Sequence, residues 1–249
     1  MKEDKYIEFA EKYDYMMSYD DARTNFFREL FEKNQIESLL DCSCGTGNDL
    51  IIFSSMVKKV TGSDLSDAML SVASKKIEIE RNDISLKKAD FRNLAAYGLT
   101  GFDGIICLSS SICEIHDNKN VIKALKSMYE SLNSDGILII DQGQSDAMMK
   151  SKPRFIPVLN NEEISRLFVI DYLDDSNDFI TINICDLIHD GNQNDFSVSP
   201  FRLRIRLIDE WKRLLEDAGI ENFEIYGNWD KSEYDKNRSK RLIIKAKKE

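Results

Sequence analysis

Short apolar runs alternate with amphipathic segments over roughly the first 145 of the 249 residues. The runs have the length of buried strands, and the segments between them carry apolar residues at helical spacing. Residues 104–108, Gly-Ile-Ile-Cys-Leu, are apolar throughout, as expected for a strand that is covered on both faces. Strands and helices that alternate at this spacing predict βαβ units and a parallel sheet.

The same pattern gives the individual elements. Predicted strands lie at 36–40, 57–64, 85–89, 102–108 and 137–140. Predicted helices lie at 22–33, from Asn48 or Asp49 onward, at 67–80 and at 121–132. Gly136 follows the last of these helices and is a candidate C-cap.

The pattern changes after Asp141. Three longer segments, at 164–173, 179–190 and 196–207, show the alternation of half-buried strands. Turn-forming residues at 174–177 and 190–194 separate them, which predicts an antiparallel β insert. The α/β pattern then resumes with a helix at 209–218 and two strands, at 223–226 and 242–246, which we expect to pair as an edge hairpin.

The net charge of −10 makes nucleic acid and anionic membranes unfavourable partners. The locally basic stretch at 236–248 is typical of a solvated edge strand, with a nucleic-acid or partner surface as the alternative. No apolar run approaches the ~20 residues of a membrane span, and residues 1–12 do not resemble a signal peptide. Five cysteines, including a lone Cys42-x-Cys44, favour buried reduced thiols over a metal site. We expect a cytoplasmic monomer or homodimer without a metal.

A glycine loop follows the first predicted strand. Asp41 ends that strand, and Gly45 and Gly47 lie at the strand-to-helix turn. Glycine allows the backbone to approach a ligand closely, and ligands of open α/β sheets bind at the carboxyl ends of the strands. Position 50 is Leu, so the dinucleotide fingerprint G-x-G-x-x-G is incomplete.

Two further carboxylates end strands in the same way. Asp64 ends the second strand and is suited to accept hydrogen bonds from both hydroxyls of a ribose, with a helix N-cap by Asp64 or Ser66 as the alternative. Asp90 and Phe91 follow the third strand and suit the amine and ring of an adenine, with an ordinary loop Asp and core Phe as the alternative.

The glycine loop has no cationic residue, since Lys and Arg are absent from 41–53. A phosphate-rich cofactor favours positive charge or a full glycine cradle, whereas a cationic cofactor favours nearby acids. S-adenosylmethionine carries a sulfonium, so the acidic strand ends suit it better than NAD or ATP.

At these residues the chain resembles the class I S-adenosylmethionine-dependent methyltransferases, over roughly residues 20–145. Five segments carry the resemblance: the glycine motif at 39–47, the ribose motif at 62–70, the adenine motif at 89–91, the fourth strand at 101–108 and the segment leading into the fifth strand at 132–141. In the last of these, Ser-Asp-Gly at 134–136 replaces the family's usual Pro-Gly-Gly.

The resemblance implies a doubly wound, mostly parallel seven-stranded sheet with an antiparallel β insert before the last helix. It implies S-adenosylmethionine as the cofactor. The implied cofactor-binding residues are Tyr15, Arg23, Asp41, Cys44, Gly45, Thr46, Gly47, Asp64, Leu65, Met69, Asp90, Phe91, Leu108 and Ser109.

Within the family, the chain is most similar to glycine/sarcosine N-methyltransferases and related small-molecule N- or O-methyltransferases, including those of amino sugars. Residues 107–112, the insert and residues 201–204 carry this likeness. It implies an N-terminal helical lid over 1–35, a cofactor-binding domain over 36–145 and 208–249, and an insert over 146–207 that covers the substrate. Tyr13, Tyr15 and Tyr19 would belong to the lid, with helix packing as the alternative, and Arg23 would hold the cofactor's carboxylate.

Methyl transfer from a sulfonium is an in-line displacement, which needs alignment and desolvation more than a nucleophilic side chain. His116 is a candidate general base, with a solvated loop residue as the alternative, and His189 is expected to be structural. The predicted substrate residues are Tyr19, Ser111, Arg154, Arg202 and Arg204. The shared face of Arg202, Arg204 and Arg206 is also compatible with plain solvent exposure.

We therefore predict a methyltransferase for a small-molecule amine or hydroxyl. One alternative is an NAD-dependent oxidoreductase, against which Leu50 argues. The other is a noncatalytic nucleotide-binding protein on a Rossmann-like fold, against which the intact motifs argue.

Overall fold

The computed structural model describes residues 4–16, 21–80, 83–172, 178–189 and 194–249. The strands are β1 Ser38–Asp41, β2 Lys59–Asp64, β3 Ile84–Lys88, β4 Phe102–Cys107, β5 Leu132–Gln142, β6 Phe155–Asn160, β7 Ile164–Asp171, β8 Phe179–His189, β9 Asn194–Arg204, β10 Phe223–Tyr226 and β11 Leu242–Lys247. The α-helices are α1 Asp21–Lys33, α2 Asn48–Ser54, α3 Asp67–Glu80, α4 Asn118–Glu130, α5 Asp146–Ser151 and α6 Ile208–Asp217. Three 3₁₀ segments lie at Ala10–Met16, Phe91–Tyr97 and Ser111–Glu114.

Seven strands form the main sheet, in the order β10-β11-β5-β4-β1-β2-β3. Neighbours from β5 to β3 are parallel, and β11 is antiparallel to both β5 and β10. The predicted mostly parallel seven-stranded sheet and its edge hairpin are therefore confirmed. The strand order reverses between β1 and β4, and their carboxyl ends lie at the switch point where open α/β sheets bind ligands.

Helices cover both faces of this sheet, as a doubly wound fold requires. On one face, α1 buries Phe26, Phe27, Leu30 and Phe31, and its rings contact Phe53 of α2 and Trp229. On the other face, α4 buries Val121, Ala124, Leu125 and Met128 beside α6. The last three of these α4 residues follow Val121 by three, four and seven positions, which places all four side chains on one stripe of the helix.

The second sheet is antiparallel, with the strand order β6-β7-β8-β9. The sequence predicted three of these strands but not β6, which contains Pro157. Proline within an apolar run is tolerated only at edge strands or bulges, and β6 is an edge strand whose register shifts between Pro157 and Leu159. The short helix α5 was not predicted either. The predicted turns, at 174–177 and most of 190–194, lie outside the described residues.

Gly136 is not a helix C-cap, contrary to the sequence prediction. The helix α4 ends at Glu130 with Ser131 as its C-cap, and Gly136 lies inside β5. A Cβ at Gly136 would lie 2.9 Å from the carbonyl oxygen of Asn133 and 3.1 Å from that of Asp103. Close backbone packing therefore explains the glycine at this position.

A buried ion pair joins β7 to β8 on the face that points at the main sheet. Arg166 and Asp186 are opposite each other in the register, and two hydrogen bonds of 2.5 and 2.6 Å link their side chains. Arg166 also donates to the main-chain oxygen of Lys12, at 2.8 Å, and its guanidinium lies over the ring of Phe9. The pair thus fixes residues 4–16, called the N-terminal segment below, to the second sheet.

All five cysteines are buried and form no disulfide. Over the described ranges, no helix is both long enough and apolar enough to cross a membrane.

We expect Asp186→Ala to lower the free energy of unfolding by about 3–5 kcal/mol, because it leaves the Arg166 guanidinium buried without its carboxylate. Urea denaturation measures this loss. The double variant Arg166→Met/Asp186→Leu removes both charges and should lose clearly less. A loss below about 1 kcal/mol in the single variant would contradict the assigned role of the pair.

Candidate active site

The carboxyl ends of β1, β2, β4 and β5 meet at one edge of the main sheet. Asp41, Asp64 and Asp141 lie at three of these ends, and Leu108 follows the fourth. Asp41 and Asp141 are almost fully buried. Burial raises the pKa of Asp41 well above its usual value, and the nearby charge of Asp49 raises it further.

The glycine loop between β1 and α2 is tied to the end of β2. The main-chain N–H of Gly45 donates to Asp64 at 2.9 Å, and the N–H of Cys44 donates to the Ser63 carbonyl at 3.0 Å. Gly47 has φ +80° and directly precedes α2. An added Cβ at Gly47 would lie 3.1 Å from the Cβ of Ala73, so glycine satisfies both the backbone conformation and the packing there.

The sequence predicts a ribose contact by Asp64, with a helix N-cap by Asp64 or Ser66 as the alternative. Ser66 caps α3, since its hydroxyl accepts from the N–H of Met69 at 3.1 Å. Asp64 instead accepts from the N–H groups of Gly45 and Ser66, both at 2.9 Å. Burial raises the pKa of Asp64, although these two hydrogen bonds oppose the shift. Leu65, which lies between Asp64 and Ser66 in the chain, is exposed.

Asp90 is held by a neighbouring cation. Arg92 donates to both carboxylate oxygens of Asp90, and the carboxylate also accepts from the Arg92 N–H at 2.9 Å, just before the 3₁₀ turn at Phe91. Burial alone would raise the pKa of Asp90, but the hydrogen bonds and charge of Arg92 lower it overall. The adenine role predicted for Asp90 and Phe91 stays a prediction.

Arg23 lies opposite the glycine loop and is paired with an acid. Its guanidinium donates to both oxygens of Asp49, at 2.7 and 2.6 Å, and both side chains are largely buried. The same guanidinium lies over the rings of Phe27 and Trp229.

The N-terminal segment covers these strand ends. Asp4 accepts from the Ser66 hydroxyl at 2.7 Å, and Asp14 accepts from Thr46 and Asn48 at 2.5 and 2.8 Å. Tyr13 lies over the glycine loop, so that a Cβ at Gly45 would be 3.7 Å from its ring. Burial raises the pKa of Tyr13, and the charges of Asp64 and Asp49 add to the shift.

Two cavities adjoin under this segment. A crevice of about 20 Å³ lies at the glycine loop, and a cavity of about 390 Å³ lies between the strand ends and the second sheet. Tyr13 and Ser109 line both cavities, so they form the boundary between them.

The structure brings many of the predicted site residues to these cavities. The predicted residues on the lining are Arg23, Asp41, Cys44, Thr46, Leu108, Ser109 and Ser111. Gly45 and Gly47 form the loop itself, and Met69 is buried in α3 behind Ser66. Tyr19 and the side chain of Tyr15 lie outside the described residues.

The predicted base and three of the predicted substrate residues lie elsewhere and line neither cavity. His116 is exposed, stacks edge-on against Phe179 and bonds the Arg202 main-chain oxygen at 3.2 Å. Arg204 pairs with Glu210 at 3.0 Å. Arg154 forms a largely exposed pair with Asp171. Arg202 lies over the ring of Phe179. These contacts give no support to a base role for His116 or a substrate role for the three arginines, and both roles stay predictions.

The sequence interpretation missed several residues that line the larger cavity. Glu114 and Gln144 follow β4 and β5, and their position after strand ends was a usable signal. Arg241 and Trp229 come from the hairpin between β10 and β11. Arg241 donates to both oxygens of Asp141, at 2.9 and 2.7 Å. The two residues are 100 positions apart in the chain, so no local sequence pattern reveals the contact.

Comparison with known proteins agrees with this geometry. Residues 39–136 match a model described as a methyltransferase domain. The chain is 28% identical to the putative methyltransferase YqeM of Bacillus subtilis, over 98% of this chain and 97% of that protein. It is 26% identical to a glycine/sarcosine N-methyltransferase of Aphanothece halophytica, over 92% and 85% of the two chains.

The fold has solved counterparts as well. The crystal structure of an S-adenosylmethionine-dependent methyltransferase from Clostridium acetobutylicum superposes with a TM-score of 0.82 at 21% identity, covering 98% of each chain. The resemblance seen in the sequence motifs is thereby confirmed. Residues 39–136 thus match a methyltransferase domain, and the chain has the Rossmann-like fold of a solved S-adenosylmethionine-dependent methyltransferase.

Proposed function

We propose that this chain transfers a methyl group from S-adenosylmethionine to an amine or hydroxyl of a small molecule. One observation carries the proposal: the crevice at the glycine loop and the larger cavity meet at Tyr13 and Ser109. A donor in the first and an acceptor in the second would face each other at that boundary. In-line displacement needs this alignment within a water-excluding site.

The residues around the glycine loop fit a cationic nucleoside. Asp41, Asp49 and Asp64 gather there with Arg23 as the facing cation, so acidic groups are in excess. Opposite charge in the ligand would offset this burial of carboxylates. Asp64 would accept from the ribose, Asp90 and Phe91 would border the adenine, and Arg23 would face the cofactor's carboxylate. The bound cofactor supplies the methyl group.

The chain's own part in the reaction is to position and enclose. The Ser109–Ser111 stretch and Tyr13 would fix the boundary across which the methyl group moves. The N-terminal segment would exclude water, as predicted for a lid, and the β insert would cover the acceptor.

The two alternative functions receive no support. Leu50 is fully buried, and an added Cβ at Gly62 would lie 2.4 Å from its Cδ1. Leu50 is therefore a core residue packed against β2. It does not provide the third glycine that a pyrophosphate-binding loop needs. The expectations of a cytoplasmic location, of a monomer or homodimer and of no nucleic-acid partner stay predictions.

The segment over the glycine loop also bears on cofactor entry. The crevice of about 20 Å³ is far smaller than a nucleoside needs, since ligand sites usually exceed about 300 Å³. Entry therefore requires the N-terminal segment to move, as lids do in many enzymes.

Release of S-adenosylhomocysteine in the presence of an acceptor panel tests the function directly. Calorimetry should detect binding of S-adenosylmethionine and no binding of NAD. NAD binding alone would establish the oxidoreductase alternative, and cofactor binding without turnover on any acceptor would favour the noncatalytic one.

We expect Asp64→Ala to weaken S-adenosylmethionine binding by about 1–3 kcal/mol, because a charged hydrogen-bond acceptor is lost. Calorimetry measures the change, and thermal unfolding verifies the fold. Asp67→Ala is the matched control, since Asp67 is an exposed carboxylate at the start of α3 that pairs with Lys88. Unchanged affinity in a folded Asp64→Ala protein would reject the ribose assignment.

We expect Asp14→Ala to speed cofactor association several-fold, because Asp14 connects the N-terminal segment to Thr46, Asn48 and Lys76. Stopped-flow fluorescence measures the association rate. Glu11→Ala removes an exposed acid of the same segment and should leave the rate unchanged. Equal rates for the two variants would show that cofactor entry does not depend on this contact.

A further inference from the structure

The larger cavity has an apolar wall and a polar end. The wall comes from the inner face of the second sheet: Ile156, Phe168, Ile170, Ile182, Ile184 and Leu203. Two cross-strand pairs, Ile170 with Ile182 and Phe168 with Ile184, place these side chains next to one another. Apolar area of this kind stabilises a ligand in proportion to the hydrocarbon that it covers.

The polar end is acidic. Glu114, Asp141 and Gln144 lie there with three serines of the β4 end. Asp141 is held by two hydrogen bonds from Arg241. Glu114 accepts from the Tyr6 hydroxyl and pairs at 2.7 Å with Lys5, whose side chain is 47% exposed. An ion pair with so exposed a lysine contributes little, so another cation can replace Lys5 at Glu114.

The cationic side chains of this lining are already matched with acids. Arg241 makes a two-pronged contact with the buried carboxylate of Asp141. Arg23 makes one with Asp49 and is also the residue proposed to face the cofactor's carboxylate, so it is not left for the acceptor. A carboxylate on the acceptor would have to compete with these buried pairs, and breaking one leaves a charge uncompensated. An ammonium group meets no such competition at Glu114.

We propose that the acceptor is an amine on an apolar body about the size of one aromatic ring, with its nitrogen at Glu114 and its body against the isoleucine-rich wall. The inference rests on the proposed methyltransferase function and deepens it, because it chooses nitrogen over oxygen and an apolar amine over a free amino acid such as glycine. A cavity of about 390 Å³ matches a ring with a short arm.

Glu114 then has a defined part in the reaction. One proton of the acceptor's ammonium passes to the Glu114 carboxylate, which leaves a lone pair on nitrogen. That lone pair forms the new nitrogen–carbon bond with the methyl group, the carbon–sulfur bond breaks, and its electron pair stays on sulfur. The proton on Glu114 leaves to water when the N-terminal segment opens.

Equilibrium binding to the protein loaded with S-adenosylhomocysteine tests the acceptor class. The probes are phenethylamine, ethylamine, phenylalanine, glycine and 2-phenylethanol. We expect phenethylamine to bind on the order of 100-fold more tightly than ethylamine, from the area of its ring. It should bind at least about tenfold more tightly than phenylalanine, which adds a carboxylate, and than 2-phenylethanol, which lacks the charge.

Two variants localise the effect. Glu114→Gln should weaken phenethylamine binding at least about tenfold and lower the rate of its methylation, whereas Glu8→Gln, an exposed acid of the N-terminal segment, should change neither. Ile184→Ala should reduce the preference for phenethylamine over ethylamine, whereas Ile79→Ala, on the exposed face of α3, should leave it intact.

The outcomes separate this proposal from the proposed function. Tighter binding of glycine or 2-phenylethanol than of phenethylamine, or no detectable phenethylamine binding, overturns the apolar-amine proposal while the protein still binds S-adenosylmethionine. Failure to bind S-adenosylmethionine or S-adenosylhomocysteine at all overturns both.

Discussion

The buried pair of Arg166 and Asp186 fixes the N-terminal segment to the second sheet. Charge is costly inside a protein unless it is matched, and here the guanidinium is matched by Asp186 and by the main-chain oxygen of Lys12. Because that oxygen belongs to the N-terminal segment, the pair fixes where the segment crosses the strand ends. The enclosure of both cavities depends on this position.

A second constraint acts at the glycine loop, where hydrogen bonds from Gly45 to Asp64 and from Cys44 to Ser63 join two strand ends. They hold the loop against β2 and keep the Asp64 carboxylate beside the loop. The surrounding acids are buried at a cost, which a cationic ligand would reduce. The Asp64 carboxylate that holds the glycine loop in place is therefore also one of the acids that would favour a cationic ligand at this edge of the sheet.

The sequence predicted the main sheet well because its central strands, β4 and β5, contain continuous apolar runs, and it predicted the glycine loop and Asp64 because local motifs mark them. It missed β6 since Pro157 interrupts the pattern, and it misassigned Gly136 since the backbone packing that requires a glycine there is not local. The acceptor side was harder to predict. Arg241 reaches the cavity through a partner 100 positions earlier in the chain. His116 is a candidate base by its chemistry, with a solvated loop residue as the alternative, and the structure places it on the Arg202 main chain outside both cavity linings.

Tyr13 forms part of the wall of both cavities, and this has a consequence for how the two ligands affect each other. Any ligand that shifts this ring changes the shape of the neighbouring space without touching what lies there. Thermodynamic linkage makes such an influence reciprocal: each ligand alters the affinity for the other by the same factor. Selectivity for one molecule and retention of the other would thus be set together, by the position of a single aromatic ring.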